Sequence, residues 1–218
     1  MKKLVLILSV VSVLLFSCKS KNDPDDTTSG STTNTETNTG DDDNDFVENQ
    51  TWNSTVSIVW NGSSATVSNL TDGVLLTSNS NGYVVLTSTA KHIEYAVSGE
   101  GSGQLKIYSD YKYKLSLNGL TLNCTDGPAI NNQSSKTCYV VLSSENSLTD
   151  GSSYSSSSTD EDQKAAFFSE GQVILSGSGT LSVTGNYKHA LCSDDYIRVR
   201  EGSLTLTEIG RASCRERV

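Results

Sequence analysis

From Thr51 to Thr207 apolar and polar residues alternate with period two in short runs, and the runs break at Gly, Ser, Asn or Asp. Such alternation predicts half-buried β-strands joined by turns, with few helical patterns to compete. Four segments fall under one another: KLSLNGLTLNCTDGPAINNQSS from Lys114, YVVLSSENSLTDG from Tyr139, QVILSGSGTLSVTGNYKHALCSDD from Gln172 and YIRVREGSLTLT from Tyr196. Aligning Leu115, Val140, Val173 and Ile197 gives steps of 25, 33 and 24 residues, the middle one lengthened by the inserted SSYSSSSTDEDQK. Ala129-Ile130, Ala166-Phe167 and Ala190-Leu191 recur as a further marker, the last two again 24 apart.

Two or three short strands per unit of about two dozen residues, stacked on the next unit, predict an all-β parallel β-helix, a solenoid. A β-sandwich also uses short strands with Gly/Ser turns, but register repeated on three sides favours the solenoid. Upstream, TWNSTVSIVWNGSSATVSN and GVLLTSNSNGYVVLTSTAKHIEYAVSGEG alternate as well, and they predict an N-terminal β cap and the first coils. Trp52 and Trp60 are assigned to packing of that cap, with sugar stacking as the alternative.

The N-terminal MKKLVLILSVVSVLLFSC is an address rather than part of the fold: two lysines and an apolar run from Leu4 to Phe16, too short for a stable span. Cys18 after Leu15-Phe16-Ser17 resembles the lipobox of bacterial lipoproteins, which implies a signal peptide over residues 1–17, lipidation of Cys18 and an acyl anchor in a lipid membrane. An ordinary signal peptide is the alternative. Residues 18–50 are nearly free of apolar side chains and rich in Asp, Thr, Asn and Ser, which predicts a disordered acidic tether. Acids soon after the cysteine resemble the surface-export signal of Bacteroidetes lipoproteins, although Lys19-Ser20-Lys21-Asn22 intervenes; a plain solvated linker fits equally. The outer membrane or cell surface is the expected location. Residues 208–218, EIGRASCRERV, lose the alternation and hold three of the five arginines, and are read as a non-native tail on a domain cut off at its C-terminal side.

The net charge is −9. The tether carries nine acids, while Gln50 to Thr207 holds fourteen acids and nine bases, so no basic stripe exists to bind nucleic acid. Cys124, Cys138 and Cys192 have no CxxC or Cys/His spacing. Cys124 and Cys192, in alternating runs, read as small core residues, a Cys124–Cys138 disulfide being the alternative.

TWNSTVSIVWNGSSATV, LSLNGLTLNCTDGPAI, ENSLTDGSSY, DEDQKAAFFSEGQVILSGSGTLSVTGNYKHAL and CSDDYIRVREGSLTLT together resemble a family of secreted, calcium-containing carbohydrate-binding proteins with a right-handed parallel β-helix, related in fold to pectate lyases. The resemblance spans Thr51 to Thr207. It implies binding of plant-type polysaccharide, either acidic pectin-like chains or cellulose-type glucan.

Site candidates follow. Glu170 and Asp194 are one repeat apart, and stacked strands lie about 4.8 Å from each other, so the two carboxylates repel unless a cation joins them. Calcium fits that spacing. Asp195 is placed in the same shell, and Asp110, Asp126 and Asp150 mark other acidic turns; the plainer reading is that turns favour Asp and point it into water. Tyr108, Tyr111 and Tyr113 in IYSDYKYKL are candidate carbohydrate contacts, with Tyr111 and Tyr113 on one face. Core packing is the other role open to them. Lys188 and His189 sit in a turn near Asp194 and are also placed at the sugar site.

A lyase needs a Lys or Arg base beside calcium. Lys112, Lys114, Lys136, Lys188, Arg198 and Arg200 are the basic candidates, Lys188 foremost. A calcium-assisted, non-catalytic polysaccharide binder is the preferred reading. A calcium-dependent lyase and a structural or adhesin stalk are the alternatives.

Overall fold

The computed structural model describes residues 43–155 and 161–208. The signal segment, Cys18 and most of the tether and tail therefore lie outside the described residues.

Val84, Leu105, Ile130, Phe167 and Leu191 stand in one line across five parallel-paired strands, and all five are buried. The strands are β1 (Ser54–Gly62), β2 (Ser64–Ser68), β3 (Val74–Ser80), β4 (Tyr83–Ser88), β5 (Ile93–Ser102) and β6 (Gln104–Ser109). There follow β7 (Tyr113–Asn123), β8 (Ile130–Asn132), β9 (Cys138–Ser143), β10 (Glu145–Thr149) and β11 (Ala165–Ser169). The remainder are β12 (Val173–Ser176), β13 (Thr180–Gly185), β14 (His189–Ser193), β15 (Ile197–Val199) and β16 (Ser203–Glu208). No α-helix occurs among the described residues, and none there is long and apolar enough to cross a membrane.

The strands form two sheets. One has six strands in the order β14-β11-β8-β6-β4-β3. The other has ten, with β15-β12-β9-β7-β10-β13-β16 as its path and β5, β1 and β2 branching from β7. Buried apolar columns run across the ten-stranded sheet: Val56, Tyr95, Leu115, Val140 and Leu175 form one, and Leu122, Leu148 and Val183 another. Each large apolar side chain buried in this way contributes about 1.5–3 kcal/mol.

The class is all-β, but the expected right-handed parallel β-helix is corrected to two mixed sheets. Two features overturn the uniform solenoid. The hairpins β1–β2 and β3–β4 are antiparallel and are built into the sheets rather than set apart as a cap. Strand β7, which the alternation divides into KLSL and LTLN on two sides of a coil, is one continuous eleven-residue strand. Its first half pairs with β9 and its second half with β10, so both ladders belong to one sheet. The inward set changes parity where the two halves meet, Leu117 and Leu120 both being buried, and Gly119 there takes a positive φ of 71°.

Register differs at one step. Leu115 pairs with Val140 and Val173 with Ile197, as aligned, but Val140 pairs with Leu175, a step of 175 − 140 = 35 rather than 33. A slip of two keeps every side chain on its face.

Residues 43–50, assigned to the tether, are ordered. Two short 3-10 turns, Asp43–Asp45 and Val47–Asn49, lie across the outward side of β9 and β15. Tyr139 donates to the Asn44 carbonyl, Tyr196 donates to Asp45 at 3.0 Å and Arg198 pairs with the same carboxylate. Phe46 stacks under the Arg200 guanidinium at 3.5 Å, and Trp52 meets Tyr139 edge-on at 5.6 Å. Trp60 is core: its indole donates to the Gly82 carbonyl at 3.0 Å.

Candidate functional site: an acidic turn and an aromatic, basic cleft

The acidic turn is positioned by a polar column that is buried at Asn132 and Ser169 and half-buried at Ser193. At the C-terminal ends of β8, β11 and β14, Asn132, Ser169 and Ser193 replace the apolar residues of the ladder. Asn132 donates to Ser169 at 2.8 Å, and Ser169 and Ser193 both donate to the Gly171 carbonyl, at 2.6 and 2.9 Å. The next residue in each chain run leaves the sheet, which stacks Glu170 beside Asp194; the Asp194 amide donates to the Ser169 carbonyl at 2.9 Å. Asp162, from the segment before β11, completes a group of three carboxylates that each offer an oxygen within 4.8 Å of the others.

Lys164 enters the same turn. Its ammonium lies 2.7 Å from Asp162 and 2.8 Å from Asp194, and these two hydrogen bonds hold its pKa well above the ordinary lysine value. Partial burial, then the charges of Asp194 and Asp162, push the Glu170 carboxyl up, with Lys164 opposing. The donor set is all hard oxygen and suits a divalent cation such as calcium. Lys164 now supplies the positive charge that such an ion would bring.

The other acids named from sequence do not join this group. Asp195 is exposed, its amide held by the Ser193 hydroxyl at 3.1 Å. Asp110 is exposed on a separate turn. Asp126 accepts from Tyr83, next to the Cys124 thiol. Asp150 is buried and structural, accepting from the Asn186 amide and from Tyr154 at 2.6 Å. Burial and the bond to Asp150 push the Tyr154 hydroxyl far up. Cys124 and Cys138 are both free and buried, which removes the disulfide alternative; burial pushes the Cys138 thiol up to about 12.

The three tyrosines are separated. Tyr113 is the first residue of β7 and is fully buried, packed edge-on against Tyr95 at 5.4 Å, so it belongs to the core and not to a face it shares with Tyr111. Tyr108 is half-buried and donates to Glu161, which also pairs with Lys106 at 2.7 Å. Burial, then this carboxylate, raises the Tyr108 pKa. These contacts lay residues 161–164 over the outward side of β6, β8 and β11, where Phe168 is buried 5.7 Å beneath the Lys164 ammonium. Only Tyr111 is exposed. Lys188 lies over the Tyr187 ring at 5.2 Å, and His189 Nδ1 is 3.7 Å from Glu208.

Tyr111 belongs to a cleft of about 440 Å³ whose walls include Gln50, Trp52, Lys91, His92 and Lys112. His92 has a φ of +61°, an uncommon conformation for a residue with a side chain. It is held there by its own contacts: its carbonyl accepts from the Asn53 amide at 2.8 Å, and Nδ1 donates to the Thr51 carbonyl at 2.9 Å. Lys91 lies 4.8 Å above the Tyr111 ring, and Lys112 donates to Gln50 at 2.6 Å. The sequence offered Tyr111, Lys112 and the stacking alternative for Trp52, but not their union, which depends on chain segments 40 and 60 residues apart.

A family model of carbohydrate-binding domain-containing proteins matches residues 80–212, more than half of the chain, and the chain belongs to that family. Among solved structures it is similar to the polysaccharide lyase-like protein from C. thermocellum, described as a gadolinium derivative, with 22% identity and a TM-score of 0.60. The match covers 69% of this chain and 60% of that one, and at this identity the likeness is one of fold. No curated protein matches the chain.

Proposed function

We propose that the protein is a non-catalytic, calcium-assisted binder of extracellular polysaccharide, held at the cell surface by an acyl group on Cys18. Membership of the carbohydrate-binding family over residues 80–212 carries the reading. Pectin-like acidic glycan and cellulose-type glucan are the ligands considered. Calcium joins Asp162, Glu170 and Asp194, displacing Lys164, and neutralises a turn in which three carboxylates converge.

The test is retention of the mature protein on insoluble cellulose and on polygalacturonate, with calcium and with EDTA. Retention on either polymer supports the reading, and retention on neither overturns it. Release of unsaturated sugar ends from polygalacturonate would replace the binder by a lyase. For the anchor, Cys18→Ser should release the protein from membranes washed at high salt.

A further inference from the structure

The cleft beside Tyr111 has a charge that sets it apart from the rest of an acidic chain. Lys91 and Lys112 face it, and neither has a carboxylate partner among the described residues. Their contacts are neutral, an aromatic ring for Lys91 and an amide oxygen for Lys112, so both ammoniums are positioned without being neutralised. Elsewhere Lys106 pairs with Glu161, Lys114 with Glu94, and Lys164 with Asp162 and Asp194, while Lys136 and Lys188 have no ion pair among the described residues. The Nδ1 proton of His92 is committed to the Thr51 carbonyl, which leaves Nε2 for a ligand. The Trp52 N–H, shielded from water, has no acceptor among the described residues.

We propose that this cleft is a subsite for one carboxylated sugar unit, whose ring lies against Trp52 and Tyr111 and whose carboxylate is met by Lys91 and Lys112 without a bridging metal. The inference rests on the polysaccharide-binding reading and adds to it a place and a charge. An aromatic wall supplies apolar contact to the sugar's C–H face, and two ammoniums select against neutral hexose. The strained turn at His92 keeps the basic edge of the cleft against residues 51–53 before any ligand arrives.

The probe is trigalacturonate, titrated in EDTA by calorimetry and by tryptophan fluorescence, with cellotriose as the neutral comparison. Wild type should bind trigalacturonate more tightly than cellotriose, and the affinity should fall as salt rises. The double variant Lys91→Gln/Lys112→Gln should lose about tenfold or more in affinity for trigalacturonate, while Lys136→Gln, outside the cleft, should not. Trp52→Phe should abolish the ligand-induced fluorescence change, since Trp60 is buried. Unchanged affinity in the double variant, or binding only when calcium is added, overturns the subsite and leaves the polysaccharide reading intact if the polymers still retain the protein. Retention on neither polymer overturns both.

Discussion

Lys164 places its ammonium 2.8 Å from Oδ1 and 2.9 Å from Oδ2 of Asp194, so one side chain spans the carboxylate that the repeat stacks beside Glu170. A calcium ion at this turn must displace it. Lys164→Gln should therefore strengthen calcium binding by several-fold, whereas Asp194→Asn should weaken it by at least that much. Thermal melting across a calcium titration reads both. A midpoint that calcium leaves unmoved in wild type and in both variants would rule out the metal at this turn.

Glu170 gives the turn a pH dependence of definite sign. Its folded pKa is raised, so its contribution to stability is fully present below the unfolded carboxylate value and is lost as pH rises through the raised value. Without calcium, Glu170→Gln should stabilise the protein at pH 7 and change little at pH 4. The gain should be no more than about 1 kcal/mol, because the group is partly solvated. Equal midpoints for the variant and wild type at both values would contradict the repulsion.

Glu94 has the opposite sign. Burial raises its pKa, but hydrogen bonds from Ser116, Lys114 and Thr55 outweigh that and hold it below the ordinary value. The stabilisation is present above the unfolded pKa and is lost as pH falls through the lowered one. Glu94→Gln should lose stability at pH 7, by roughly 1 kcal/mol, and match wild type at the acid end of a denaturation series.

Backbone contact gives a sharper contrast. A methyl group on Gly99 would lie 2.2 Å from the Trp60 carbonyl oxygen, at a φ of +92°, whereas one on Gly119, at +71°, would meet nothing within 4 Å. Gly119→Ala should cost about 1–2 kcal/mol, the backbone term alone. Gly99→Ala should cost clearly more, since β1 must also move from β5. Urea denaturation of the two variants makes the comparison.

Asp150 is the acidic turn residue whose removal should matter most to folding. It is buried and accepts from Tyr154 and the Asn186 amide, so Asp150→Ala should cost about 2–3 kcal/mol and loosen the segment leading to residue 155. Unaltered stability would show the contacts to be dispensable.

Alternation made the strands legible, and the recurrence of Ala129, Ala166 and Ala190 beside an apolar residue located a true ladder, with Ile130, Phe167 and Leu191 paired in line. The same alternation concealed β7, because a pattern of period two carries no sign of whether two runs belong to one strand or to two. Glu170 and Asp194 could be paired from spacing alone. Asp162 and Lys164 could not, since they lie in an insertion with no repeat to align it. The ordered stretch 43–50 was hidden by its composition: Phe46 and Val47 are its only apolar residues, and most of its contacts are polar or cationic, through Asp45, the Asn44 carbonyl, Gln50 and the Arg200 guanidinium over Phe46.

That short stretch has a mechanical meaning. By joining Asp45 to Arg198 and Tyr196, it fastens the N-terminal side of the domain to strands more than 150 positions later in the chain. Force entering at residue 43 meets the contacts with Tyr139 of β9 and Arg198 of β15 before it reaches β1. Interactions loaded in parallel share a pull, whereas those of a peeled strand break one after another. If the proposed anchor and polymer are both engaged, a pull from the N-terminal side falls first on these side-chain contacts, and the first strand is spared.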